Sequence, residues 1–161
     1  MKPLTLSKKL KLSRFLLTLT LIATATITFF PFINGLGCNF ETKTTNQAFD
    51  SHGKCYMGIL TIIQKEHLTA TLNKKVMLWG YSGNTVSIIQ LDSKILADAR
   101  QPTRLDINAY LDDIYRDIIF RFYAVFKGTE NSYVFLSNSP APLIFKTEIK
   151  GKLGFYESMD R

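Results

Sequence analysis

The sequence predicts one N-terminal transmembrane helix followed by a β-rich (α+β) domain, an antiparallel curved sheet or small barrel with one helix. Three observations predict it. An uncharged, largely apolar run from Phe15 to Gly37 follows a basic start, strand-like alternation fills most of the chain from Tyr56 onward, and only the stretch after Pro102 has the period of an amphipathic helix. Because the strands come in runs rather than alternating with helices, a doubly wound parallel sheet is excluded.

The apolar run comes first. At about 1.5 Å per residue, the nineteen residues Phe15–Ile33 reach close to the ~30 Å hydrocarbon layer of a bilayer. Lys2, Lys8, Lys9, Lys11 and Arg14 precede the run with no acidic residue among them, a pattern that keeps the N-terminus in the cytoplasm and exports the rest of the chain. The resulting plan is a cytoplasmic basic segment 1–14, an anchor with a short linker 15–37, and an exported β-rich domain 38–161. Ala23-Thr24-Ala25 has the form of a signal-peptidase site, so a cleaved export signal is the alternative. Cutting there leaves the start TITFFPFI, unusually apolar for a soluble domain, which favours an uncleaved anchor. The threonines inside the run, Thr18, Thr20, Thr24, Thr26 and Thr28, are expected to bond back to helix carbonyls.

Charge and cysteine content narrow the exported part. The formal charge is +7, but five of the twenty basic residues lie before Phe15; from Cys38 onward fifteen basic residues face thirteen acidic ones, a balance of +2. The basic footprint of a nucleic-acid-binding domain is therefore missing. Residues 38–161 suffice for one domain with a real core. Cys38 and Cys55, the only cysteines, both fall beyond the apolar run in an oxidising compartment, and a disulfide between them is expected.

Between the cysteines, NFETKTTNQAFDSHGK shows neither period and reads as a loop. Strands are expected over MGILTIIQ, HLTATLN, VMLWGY and TVSIIQLDSKIL, with Ser82-Gly83-Asn84 as a hairpin turn. Ile107, Leu111, Ile114, Tyr115, Ile118 and Phe122 make a helical stripe, with Thr103 and Asp106 after Pro102 as a capping-box start. Near Asp117 the period returns to two: Phe120, Phe122, Ala124 and Phe126 share one face while Arg121, Tyr123 and Val125 take the other. Lys127 to Asn131 turns the chain into SYVFLS, LIFKTEI comes after the prolines Pro140 and Pro142, and the tail GKLGFYESMDR is weakly patterned and expected to be mobile. A lipocalin-like barrel, plugged or flanked by the single helix, would use all of these elements.

Signatures of catalysis are weak, and the chain reads as no enzyme, with no metal and no cofactor. Gly80-Tyr81-Ser82-Gly83 is one residue short of a nucleophile elbow and falls in the hairpin turn. Asp112, Asp113 and Asp117 line the polar side of the expected helix, but Arg116 is interleaved and no calcium loop surrounds them. His52 and His67 are too far apart in sequence for a helical zinc pair; as groups that titrate between about pH 5 and 8, they are the candidates for pH sensing. Trp79, Tyr81, Phe120, Phe122, Phe126, Tyr133 and Phe135 either fill a core, line a pocket for a small apolar ligand, or form a partner face. Alternation alone leaves these open.

Several segments together carry a family likeness: the short basic start and single span, Cys38-Asn39-Phe40, the acidic helix before DIIFRFYAVF, and the stretch NSYVFLSNSPAPLIF from Asn131 to Phe145. With them the chain resembles the membrane-anchored accessory proteins encoded beside ToxR-like winged-helix regulators, the group that includes ToxS, the FidL-like proteins and, closest in layout, the PsaF/MyfF type. The resemblance implies a protein of the bacterial inner membrane whose periplasmic barrel-like domain forms a heterodimer with the periplasmic domain of a one-pass regulator. It further implies that the complex protects the regulator and helps pass an external cue, such as acidity or bile, to fimbrial or virulence genes. Two other functions stay open: a cleaved, exported barrel that carries a small apolar ligand, and a fimbrial or surface subunit.

Overall fold

Threonine side chains bend back along the first element as its sequence predicts. In this computed structural model, which describes residues 6–47, 49–67, 70–97, 119–137 and 142–156, helix α1 runs Leu6–Gly35. Thr18 Oγ1 donates to Arg14 O at 2.7 Å, Thr24 to Thr20 O at 2.7 Å, and Thr20, Thr26 and Thr28 make equivalent bonds, so no hydroxyl of the five competes for outside partners. The 23 residues Ser13–Gly35 are long and apolar enough to cross a membrane, as an anchor or a signal sequence would be. Met1–Phe30 forms one unit and Pro31–Arg161 the other, so the last turn of α1 is part of the second unit.

That second unit is a closed antiparallel barrel. Its strands are β1 (Asn39–Thr45), β2 (Phe49–Tyr56), β3 (Ile59–Glu66), β4 (Leu72–Ser82), β5 (Thr85–Ala97), β6 (Phe120–Lys127), β7 (Ser132–Ser137) and β8 (Leu143–Lys152). Each pairs with the next, and β1 pairs with β8 from Asn39↔Lys152 to Lys43↔Glu148, which closes the ring. Alternation sends Phe40, Leu60, Met77, Trp79, Val86, Ile88, Tyr123, Val125, Phe135 and Ile149 inward, where they are buried. Register slips between Val76 and Met77, where Val76 faces Asp92 and Met77 faces Gln90; the skipped Leu91 lets β5 bend as a bulge does.

Short turns close one end. Met57 and Gly58 take φ of 49° and 80° between Tyr56 and Ile59, the pair of left-handed residues a two-residue hairpin favours. Gly83 and Asn84 join β4 to β5 with φ +56° at Gly83, the turn expected from the sequence. The Cys38–Cys55 disulfide is formed across this end, with Cα atoms 5.8 Å apart. Trp79 Nε1 donates to Leu153 O at 2.9 Å and its ring meets Phe40 edge-on at 4.9 Å. Buried Asn34, in the last turn of α1, donates Nδ2 to Tyr81 O at 2.7 Å and accepts from Tyr156 N at 2.8 Å, while its own carbonyl accepts from Phe155 N at 3.0 Å. The next residue must be Gly35, because a Cβ there would collide with the Trp79 backbone.

Three expectations need correction. The segment between the cysteines is not a loop but the β1–β2 hairpin; its inward positions include Thr42, Thr44 and Ser51, whose polarity erased the apolar alternation. The strand expected over HLTATLN is present only from Leu72, where β4 begins: His67 is in a turn, Ala70 takes φ +51°, and Leu68 and Thr69 lie outside the described residues. The tail is anchored as far as Tyr156, with Leu153 buried. The expected helix after Pro102, with Asp112, Asp113, Arg116 and Asp117, lies outside the described residues.

Candidate functional site

Inside the barrel is a cavity of about 300 Å³, and its walls are chemically unlike one another. Toward the closed end it is apolar, floored by Phe40, Leu60, Met77, Trp79 and Ile88. On the β6–β8 side stands an aromatic wall: Phe135 and Phe145 stack at 5.2 Å, Tyr123 meets their edges at 6.0 and 5.9 Å, and Phe49 reaches Phe145 at 6.4 Å. The facing strands β3 and β4 supply a polar wall. There Lys75 Nζ donates to Gln64 Oε1 at 3.4 Å and Asn73 Nδ2 to Glu66 Oε1 at 3.2 Å, and Arg121 and Ser93 extend the polar lining onto β6 and β5.

A ladder of hydroxyls links the walls at β1 and β8. Thr147 Oγ1 lies 2.7 Å from both Thr42 Oγ1 and Thr44 Oγ1 and donates to Lys43 O at 3.1 Å. Because these hydroxyls have partners, the interior there holds polar groups without the cost of leaving them unpaired. The arrangement suits a small amphipathic molecule: apolar surfaces to cover its body, and Lys75 and Arg121 with amide groups to meet a polar or anionic end.

The aromatic residues singled out from the sequence divide between inside and outside. Trp79 and Phe135 line the cavity, Tyr81 is fully buried beneath it, and Tyr133 packs against the core. Phe120, Phe122 and Phe126 point outward from β6 and stay about half exposed, with Phe120 and Phe122 in ring contact at 4.7 Å and Phe120 touching Phe32 at 6.3 Å. One strand thus carries cavity residues on one face and an exposed phenylalanine stripe on the other.

The histidines also separate. His52 is exposed on β2, opposite Lys43. His67 sits on the β3–β4 turn at the open end, its Nε2 3.0 Å from Asp50 Oδ2 and its Nδ1 3.2 Å from Gln47 O. The His67 hydrogen bond is the main reason the Asp50 carboxyl is held below its ordinary value of 3.8. Ser82 ends β4 at a hairpin, not between a strand and a helix, so the nucleophile-elbow context is absent there.

Sequence reasoning missed Phe49, Lys75 and Phe145. Lys75 had a signal: it shares the parity of Met77, Trp79 and Tyr81 on β4, which aims it inward. Phe49 had none, because its hairpin was not recognised. No protein-family model, curated protein or solved structure matches the chain.

Proposed function

We propose that the chain is a non-enzymatic accessory protein of the bacterial inner membrane, anchored by α1 with its N-terminus in the cytoplasm, whose periplasmic barrel pairs with the periplasmic domain of a membrane-bound winged-helix activator. The observation that carries the reading is the outward stripe Phe120, Phe122 and Phe126, three large aromatic side chains on one strand that take no part in the buried core. A partner could add a strand to an exposed sheet edge or cover this face; the pairing of β1 with β8 removes the edges of those two strands over their paired residues, which favours docking on the face. The resemblance along Asn131–Phe145 supports the same reading, with fimbrial or virulence genes as the regulated output. Co-expression of the full chain with a candidate single-span winged-helix activator from the same genome, followed by detergent extraction and size-exclusion chromatography, tests it: one complex is expected, and separate elution contradicts it.

The cavity favours a second activity, binding of a small amphipathic ligand, which fits equally with a cue-sensing accessory protein and with a free carrier. Titration with the fluorescent anion anilinonaphthalene sulfonate checks this. Saturable binding to the folded protein that weakens on Lys75→Ala is expected, and binding unchanged by that substitution places the dye elsewhere.

A further inference from the structure

We propose that the closed end of the barrel rests on the lipid surface, through an apolar belt formed by Leu36, Met57, Phe155 and Tyr156. All four side chains are exposed, from 48% at Leu36 to 71% at Tyr156, although they lie on three separate segments of chain. Two contacts draw those segments together around the end of α1. The Cβ position of Gly58, at the tip of the β2–β3 hairpin, lies 3.0 Å from Leu36 Cδ2, and that of Gly37 lies 2.6 Å from the Phe155 ring. Met57 N also donates to Cys38 O at 3.2 Å. The belt is therefore built around the two residues immediately after Gly35.

Covalent continuity identifies what covers it. The proposal rests on the anchor reading of α1: if Ser13–Gly35 crosses the bilayer, Leu36 and Gly37 leave it at the interface, and groups packed on them stand at headgroup depth. Tyrosine and phenylalanine at that depth are what an interfacial belt uses, with an apolar ring toward the acyl chains and, in tyrosine, a hydroxyl toward water. Exposed Lys152 shares a barrel level with exposed Tyr56 through their common partner Asn39, which adds a cation where anionic headgroups lie. Asn34 makes the platform stiff, because its bonds to Tyr81, Phe155 and Tyr156 tie helix end, floor and tail into one piece.

The test uses the full chain in vesicles of phosphatidylethanolamine and phosphatidylglycerol, with lipids brominated near the carbonyl end of their acyl chains as quencher. Met57→Trp and Phe155→Trp probe the belt on two independent segments, Ile27→Trp probes the span, and Gln47→Trp probes the far end; the buried native Trp79 reports folding in every variant. Quenching at positions 57 and 155 is expected to exceed that at 47 several-fold. Quenching at 57 and 155 no greater than at 47, with position 27 strongly quenched, overturns the belt and leaves the anchor standing. Shielding of 57 and 155 from aqueous iodide without lipid quenching also overturns it, in favour of a protein cover. If position 27 escapes the lipid quencher too, the anchor reading falls and the belt falls with it.

Discussion

The two ends of the barrel solve opposite problems. At the end built around Asn34, Trp79, Tyr81 and Leu153, side chains are buried, the bonds of Asn34 and Trp79 are to backbone groups, and a disulfide ties the residue before β1 to β2. At the other end the inward positions are Gln64, Glu66, Asn73 and Lys75, half-buried and bonded to one another around open volume. The difference teaches that packing and polar cavity lining are separated along the barrel axis. The closed end carries the buried contacts, which frees the open end to keep polar groups around a cavity, where the proposed ligand would bind.

Substitutions at the two ends should break this comparison if it is wrong. Trp79→Ala removes the largest buried side chain and the bond to Leu153, and is expected to cost about 3–5 kcal/mol, enough to unfold the domain in a urea titration. Cys38→Ser, or reduction, releases a loop of 17 residues and should cost about 3 kcal/mol in the chain-entropy model, seen as a lower urea midpoint. Asn34→Ala leaves the Tyr81 carbonyl and the Tyr156 amide without their partner, at about 1–3 kcal/mol by the same measurement. At the open end, Lys75→Ala should change stability by less than about 1 kcal/mol while weakening dye binding. Equal destabilisation by Asn34→Ala and Lys75→Ala would remove the distinction between the ends.

The smallest effect concerns pH. Asp50 is held below its ordinary value by His67, so its contribution to stability is fully present above about pH 4 and is lost as pH falls through the lowered folded-state value. His67→Ala should therefore lower stability slightly at neutral pH and make no difference once Asp50 is protonated in both proteins. Thermal melts across that acid range read the sign directly. A response between about pH 5 and 7 does not come from Asp50.

Legibility in the sequence divides along the same line. Where inward positions are apolar, as in ILTIIQ, VMLWGY and SYVFLS, alternation placed strands, and Ser82-Gly83-Asn84 marked its turn. The expected antiparallel β-rich domain, a curved sheet or a barrel, agrees with the observed closed barrel for that reason, and the disulfide agrees because Cys38 and Cys55 are the only cysteines. Around the cavity the signal failed, because Thr42, Thr44 and Ser51 point inward with hydroxyls, and a polar interior looks like a loop to any reading of hydrophobic period. The period-two reading of β6 separated Phe120, Phe122 and Phe126 from Arg121, Tyr123 and Val125 correctly, but which set faced the core was unreadable, since phenylalanine suits an interior as well as a partner. The tail was underestimated because Leu153 and Phe155 are held by Trp79 and Asn34, contacts more than seventy residues apart in sequence.

The most direct test of the central claim compares one residue on each face of the barrel wall. Full-length wild type, Phe122→Ser and Lys75→Ala are each co-expressed with the proposed membrane-bound activator, and the activator retained with each is measured after detergent extraction. Phe122 is 58% exposed, so its loss should shift stability by no more than about 0.5 kcal/mol while it strips a docking side chain. The account predicts strong retention by wild type and Lys75→Ala, and loss of the activator from Phe122→Ser at unchanged melting temperature. Retention of the activator by Phe122→Ser at the wild-type level, or no retention by any of the three, would contradict it.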